Sequence, residues 1–397
     1  MLIWLLTKSL WVRVNINFSI FFYLTRFGAL VSVLIRENIL NRVLTVNMII
    51  YLCILFLLLC FSCISIRCKQ SISIFSIFFV ALALFSAVRY DVGVDYMNYY
   101  RIYQDSYSLN SQIKEIGFAW FFHICYQWGI SFEWVSMGLS LLIVFLAYRC
   151  VKYYSPNLLL STLIFYSVGQ FYFSTFNAVR QSVVIYAFYL LLPFIGQRKF
   201  WHWALGIVFL SLCFHATAVL LFPLYFLLNK KMSTKVQLLF LGITLCSTIF
   251  IMKLIALSPY AIYLKFEEFA APVSLVTYIL LFISAVLFIV GWKLKEKTEK
   301  ELMLFNINLL LLAILFLSML FKGTPLIMVT NRISYYFSPV LIFLLPVCIE
   351  RLRLLSNRYI VTVLLSLFFS LLCTLALVIN STDNHLVPYQ TIFSKHV

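Results

Sequence analysis

Charge is what this sequence lacks. Only 11% of its 397 residues are charged, where a soluble domain carries about 25%. Asp and Glu are the scarcer sign, 13 against 30 Lys and Arg. No Walker sequence and no G-x-G-x-x-G occurs, so no nucleotide-cradling loop is expected. The His and Cys positions form no metal-ligand spacing, so neither a metal nor another cofactor is expected. Cys60 and Cys63 have a C-x-x-C spacing, but inside an unbroken apolar run they read as small apolar side chains. A compact apolar core followed by small residues is also missing at the N-terminus, which argues against a cleavable signal peptide.

Apolar runs are there instead. Hydrophobic residues make up 64% of the chain, in long continuous stretches rather than in alternation. That pattern is an all-α polytopic membrane protein. The net charge of +17 does not point to nucleic acid, because the lysines and arginines sit in short connectors between apolar runs.

Spans can be marked by length and apolarity from Met48 onward, giving about twelve transmembrane or half-membrane helices in one domain, 48–397. Residues 1–47 read as an extra span, a basic helix lying on the membrane, or an upstream start that is not used. Runs 48–66 and 71–88 are joined by the basic link RCKQ, which places that link inside and the stretch after 88 outside. Residues 115–129 are short and aromatic, an interfacial or re-entrant helix. Run 157–176 goes out and 182–196 returns. Run 201–228 has basic residues at both ends, so both ends lie inside and the chain turns near His215, as two half-helices or a re-entrant hairpin. An outer connector holds Glu267 and Glu268, and KLKEKTEK, 293–300, is the largest inner loop. Arg332 ends an outer loop before run 333–349 returns. Inner connectors then carry Lys and Arg over outer ones at about two to one. The same topology puts Arg89, Asp91, Asp95, Glu115, Arg180, His215 and Arg332 on the outer face.

The stretch RYDVGVDYMNYYRIY, 89–103, follows an uncharged run directly. Tyrosine suits that depth because its ring is apolar and its hydroxyl is wet. Asp91 and Asp95 gain nothing there without partners. Arginines at the outer ends of several helices suit phosphate, since guanidinium donates two parallel hydrogen bonds and stays charged. Arg180 lies in a short polar break with Asn177 and Gln181 beside it; snorkelling to headgroups is its structural reading. Asp91, Asp95, Glu115 and His215 are candidate bases for deprotonating a sugar hydroxyl, although a lone histidine in an apolar helix also serves as a structural hydrogen-bonding group.

The order of these pieces resembles the EpsG-like branch of the Wzy-type polysaccharide polymerases. RYDVGVDYMNYY is similar to that family's R-x-x-x-G-x-D-Y-x-x-Y signature. Glu115-Ile116-Gly117-Phe118, Asn177-x-x-Arg180-Gln181, Phe214-His215-x-x-Ala218, Asn331-Arg332 and Pro388-Tyr389 follow in the family's order. The resemblance implies a membrane glycosyltransferase that joins undecaprenyl-pyrophosphate-linked oligosaccharide repeat units into O-antigen, capsular or exopolysaccharide. The implied location is the bacterial inner membrane, with the active face periplasmic or extracellular. By the same resemblance Asp95, His215 and Arg180 are catalytic. Arg89, Asp91, Tyr96, Tyr99, Glu115, Asn177, Gln181 and Arg332 bind substrate. Arg180 and Arg332 hold the donor pyrophosphate, Arg89 supports them or holds the acceptor's, and Asp95 or His215 orients or deprotonates the acceptor hydroxyl. Membrane lipid, a chain-length regulator and a flippase are the implied partners, and nucleic acid is not.

Other readings remain open on the residues alone. A flippase or transporter would show two similar halves with charges near span centres, and no repeat is seen. A glycan ligase would share the donor chemistry. An acyltransferase lacks its paired His/Asp pattern, and a structural export subunit leaves the outer arginines unexplained.

Overall fold

In hydrocarbon every backbone N–H and C=O must be satisfied internally, and a helix does so within one segment. The computed structural model is accordingly all-helical. It describes residues 46–64, 72–107, 114–246, 253, 257, 272–294, 296–352, 355–380 and 385–393. Most of the expected N-terminal extension, and Glu267 and Glu268 of the expected outer connector, lie outside the described residues. Among those described, five helices are long and apolar enough to cross a membrane, and the pair Leu326–Phe337 and Val340–Glu350 is bent by 49° at its break. Shorter apolar helices add Met48–Ile64, Ile72–Ala87, Leu158–Ser167, Phe200–Cys213, Ala216–Phe226 and Thr234–Thr244. This agrees with a polytopic protein of about a dozen crossing or half-crossing helices.

One side of many helices faces no protein. Phe56, Leu84 and Phe282 are 64%, 55% and 70% exposed, the apolar band that lipid covers. The other side packs around a tyrosine-rich interior. Tyrosine can be buried among helices when its hydroxyl finds an acceptor. Tyr166 donates to the carbonyl of Tyr51 at 2.9 Å, Tyr172 to Leu82 at 2.6 Å, Tyr154 to Tyr189 at 2.7 Å, and Tyr189 to Phe337 at 3.1 Å. Three of these bonds tie one helix to the backbone of another, and Tyr172 ties the segment after Ser167 to the helix Ile72–Ala87, where dispersion alone would leave the parts free to slide.

Run 201–228 folds back on itself, as its two basic ends require. The helix Phe200–Cys213 is followed by the turn at Phe214 and His215 and by a 3-10 helix, Ala216–Phe226. Trp203 Nε1 donates to the Phe222 carbonyl at 3.1 Å, and Phe200 packs its ring on Phe222 and Tyr225. The two ends of the run therefore meet, and His215 is the tip.

Two sequence expectations need correction. Run 157–176 is not one span. Its helix ends at Ser167, and residues 168–178 run as turns and a short 3-10 helix, Phe173–Phe176. Arg332 does not end a loop, because the helix Leu326–Phe337 begins before it and carries it in mid-length. Residues 115–129 behave as expected of a non-crossing helix: Ile116–Gln127 is twelve residues, about 18 Å long against roughly 30 Å of hydrocarbon.

Candidate functional site

Four segments meet around a cavity of about 490 Å³. Asp95, Asn98 and Tyr99 come from the loop and helix after residue 88. Asn177, Arg180 and Gln181 come from the irregular segment and the first turn of Val179–Gly196. His215 comes from the hairpin tip. Asn331, Arg332 and Tyr335 come from Leu326–Phe337.

The first segment is shaped by two residues in the left-handed region. Asp91 has φ 51° and Gly93 φ 102°, and only the glycine is at ease there. A Cβ at Gly93 would also lie 2.7 Å from Asn177 Oδ1 and 3.1 Å from Phe176 Cβ. The reversal sends the two ends of the signature in different directions. Asp95 reaches the cavity. Arg89 goes beneath the loop, 3% exposed, with its guanidinium 4.4 Å over the Phe176 ring. Its Nε and Nη1 have no hydrogen-bond partner among the described residues. Burial draws Arg89 down to about 10, while nearby Tyr96, Tyr172, Tyr389 and Tyr51 act the other way. Tyr96 is buried on the same side, edge-on to Tyr90 and Phe132. Asp91 is half-buried in the turn. Thus Arg89, Asp91 and Tyr96 do not line the cavity, and Arg89 supports it from below.

Residues 385–393 lie across this loop. Tyr90 N–H donates to Gln390 at 2.9 Å, Ile392 N–H to Val88 at 2.9 Å, and Gly93 N–H to His385 at 2.9 Å. The Tyr51 hydroxyl donates to Leu386 at 2.6 Å, and the Tyr389 hydroxyl donates to the Phe85 carbonyl. Pro388-Tyr389 therefore belongs to the wall beneath the site.

Arg180 is in the first turn of its helix, where the macrodipole disfavours a cation. Glu115 supplies the missing negative charge. Its carboxylate is 7% exposed, accepts from Arg180 Nη1 through one oxygen and lies 3.1 Å from His215 Nδ1 through the other, which also accepts from Ala216 N–H at 3.1 Å. Burial pushes this carboxyl up, but the His215 hydrogen bond, the Arg180 charge and the Ala216 N–H outweigh it and hold it at about 2. Gly117 permits the contact. A Cβ there would lie 2.7 Å from Cys213 Cα, so only glycine lets this helix approach the hairpin two residues before His215. Glu115 thus stands behind the cavity as the shared partner of its arginine and its histidine. In the neutral imidazole, donation of Nδ1–H to Glu115 leaves the Nε2 lone pair to the cavity side.

Arg180 Nε donates to the Tyr99 hydroxyl at 3.4 Å, leaving the remaining edge of its guanidinium to the cavity. No hydrogen bond or ion pair holds the Arg332 guanidinium among the described residues, although Gln181 Nε2 donates to the Arg332 carbonyl at 2.8 Å and fixes that helix beside Val179–Gly196. Asp95 faces both arginines. Burial raises its carboxyl, and Arg332 and Arg180 offset this only in part.

Asn98 and Tyr335 were not among the sequence candidates, and both line the cavity. Their signal is helical spacing: Asn98 is three residues after Asp95, and Tyr335 three after Arg332, so each shares a face with a charged candidate. The helices Tyr96–Gln104 and Leu326–Phe337 are polar on one side, whereas the spans are apolar all round.

A family model described as the EpsG family matches residues 72–391, more than half of the chain. No curated protein and no solved structure matches it.

Proposed function

We propose that this chain, which belongs to the EpsG family, joins lipid-linked oligosaccharide repeat units into a polysaccharide at a membrane. The family and the apolar helices stand behind membrane-bound polysaccharide biosynthesis. The observation that carries the finer reading is the cavity, where two guanidiniums, a carboxylate and an imidazole converge without a nucleotide loop.

In this reading a sugar hydroxyl of one lipid-linked unit attacks the anomeric carbon of the other. The bond from that carbon to the pyrophosphate oxygen breaks, and undecaprenyl pyrophosphate leaves with the electron pair. Arg180 and Arg332 take the charge that develops on the leaving oxygens, the transition-state term that fixed donors supply best. Arg180 is held for this by Glu115. The start of the Val179–Gly196 helix adds N–H groups and the positive end of its dipole, a setting that suits phosphate. His215 Nε2 accepts the hydroxyl proton, and the Glu115 carboxylate steadies the imidazolium that forms, the role of a carboxylate behind a catalytic histidine. Asp95 accepts a hydrogen bond from the incoming sugar and sets its angle of attack. The active face is the outer one, periplasmic or extracellular. A chain-length regulator and a flippase act with it.

The glycan profile of cells lacking the protein tests this. The expected result is a single repeat unit still delivered to its final acceptor, with the longer ladder gone. Units trapped on lipid at the inner face would replace the polymerase with a flippase, and full-length polymer stranded on its carrier would replace it with a ligase.

A further inference from the structure

A second cavity of about 230 Å³ adjoins the first and shares Asn177, Asn331 and Tyr335 with it. Its chemistry is different. None of its lining residues is charged. The irregular segment after Ser167 forms its floor with Gln170, Phe173 and Ser174, and Thr277 closes one side from the start of Leu275–Lys293. Hydroxyls, amides and aromatic faces without charge are the groups that recognise a neutral sugar ring rather than a phosphate, and Val276, Cys373, Ala376, Leu377 and Leu386 complete the lining with an apolar side. The volume lies below the roughly 300–1,000 Å³ of pockets for drug-sized ligands, so it fits a small unit.

One group in it is left over by the fold. Ser167 is 1% exposed, and its Oγ has no hydrogen-bond partner among the described residues. A buried hydroxyl without a partner is unfavourable by roughly 1–3 kcal/mol, and alanine at this helix end would avoid that. Among the described residues no hydrogen bond uses the hydroxyl. Gln170 donates through Nε2 to Ser334 Oγ at 3.2 Å, which aims the amide and leaves its oxygen as an acceptor. Unfinished bonding at Ser167 and an amide held in place by a second helix are what a preformed site shows.

We infer that this cavity is a binding site for one uncharged sugar residue of the lipid-linked glycan, placed beside the pyrophosphate cavity so that the two halves of one substrate are read separately. This rests on the polymerase reading above. The shared lining means that a sugar in the second cavity lies next to the reacting carbon.

The test uses the purified full-length protein in detergent and two probes. One is inorganic pyrophosphate. The other is the oligosaccharide released by mild acid from the lipid-linked material of cells lacking the protein. Ser167→Ala and Gln170→Ala are each expected to weaken oligosaccharide binding about tenfold, the effect of losing a good hydrogen bond, and to leave pyrophosphate binding unchanged. Arg180→Ala is expected to do the reverse. Because the Ser167 hydroxyl has no hydrogen-bond partner among the described residues, Ser167→Ala removes no hydrogen bond there, and unchanged pyrophosphate binding certifies that the variants are folded. Oligosaccharide binding that both variants keep at full strength overturns the site. Failure of pyrophosphate to bind the unaltered protein overturns the polymerase reading instead. Trimming the non-reducing sugar with an exoglycosidase assigns the ring: lost binding places the acceptor's end in the cavity, and retained binding places the donor's first sugar there.

Discussion

At the end of the bundle away from the cavity, Arg351 donates to Glu301 through Nε at 3.0 Å and through Nη2 at 2.7 and 2.5 Å. Glu301 also completes a capping box with Thr298 at the start of Glu299–Leu320. That pair uses up the carboxylate and most of the fork, and Arg351 is 39% exposed. Arg180 and Glu115 are the same two residue types with a different outcome. Here the arginine gives only part of its fork to the carboxylate, and the carboxylate is divided between Arg180 and His215. A pair that satisfies itself belongs to the fold. A pair that holds an arginine by one edge and a histidine by one nitrogen leaves the other edge and the other nitrogen for a ligand.

Arg180→Lys should separate the two pairs most sharply. Lysine keeps the charge and loses the fork, so polymer formation should fall about 10²–10³-fold, the effect of removing one transition-state donor, while the protein still accumulates. Normal polymer on a gel at normal protein level would sink this role. Glu115→Gln should act on both activity and stability. It should lower polymer about tenfold or more and destabilise by about 1.5–3 kcal/mol, as expected for hydrogen bonds to charged groups. Its pH signature follows from its depressed carboxyl. A folded-state value of about 2 against the ordinary 4.5 contributes stability that is complete above about 4.5 and is lost as pH falls through about 2. Melting of the two proteins in detergent should therefore differ at pH 5 and above and converge only below about 4.5. Convergence near pH 6 would mean that the ion pair is absent.

Asp95→Asn should go the other way in stability. Burial raises this carboxyl, so its charged form is disfavoured in the folded protein at neutral pH. The variant should melt slightly higher at pH 7, lose that gain as the pH falls to its ordinary value of 3.8, and make less polymer. A lower melting point at pH 7 would contradict the placement of Asp95. Glu301→Gln should matter least. Glutamine preserves the capping box, and an exposed pair contributes about 0–1 kcal/mol. Polymer yield should be unchanged, and a loss comparable to that of Glu115→Gln would erase the distinction between the two ends.

Much of this was legible in the order of residues. The apolar runs marked the helices, the basic flanks of 201–228 dictated a hairpin, and the polar break at 177–181 pointed to Arg180. Which way a side chain leaves a loop was not legible. Arg89 and Asp95 are six residues apart in one signature, yet the left-handed turn at Asp91 and Gly93 puts one under the floor and the other in the cavity. The role of Glu115 was hidden for a related reason. Its partners, Arg180 and His215, are 65 and 100 residues away, and only the close approach at Gly117 joins them. Arg332 was misplaced because its helix starts directly after Pro325, where Lys322-Gly323-Thr324 suggested a longer loop.

The strap over the Arg89 loop sets an order of assembly. Tyr389 and the carbonyl it meets at Phe85 are 304 residues apart. At about 5–20 residues per second of synthesis, the loop waits uncovered for roughly 15–60 s before its cover is made. Until then the loop lacks the carbonyls of Gln390 and His385, which accept from Tyr90 and Gly93, and the Ile392 N–H, which donates to Val88. The wall beneath the cavity is complete only when the last helix has been inserted and the strap laid down. Chains interrupted before residue 385 would carry the helices described here without the segment that lies across the Arg89 loop.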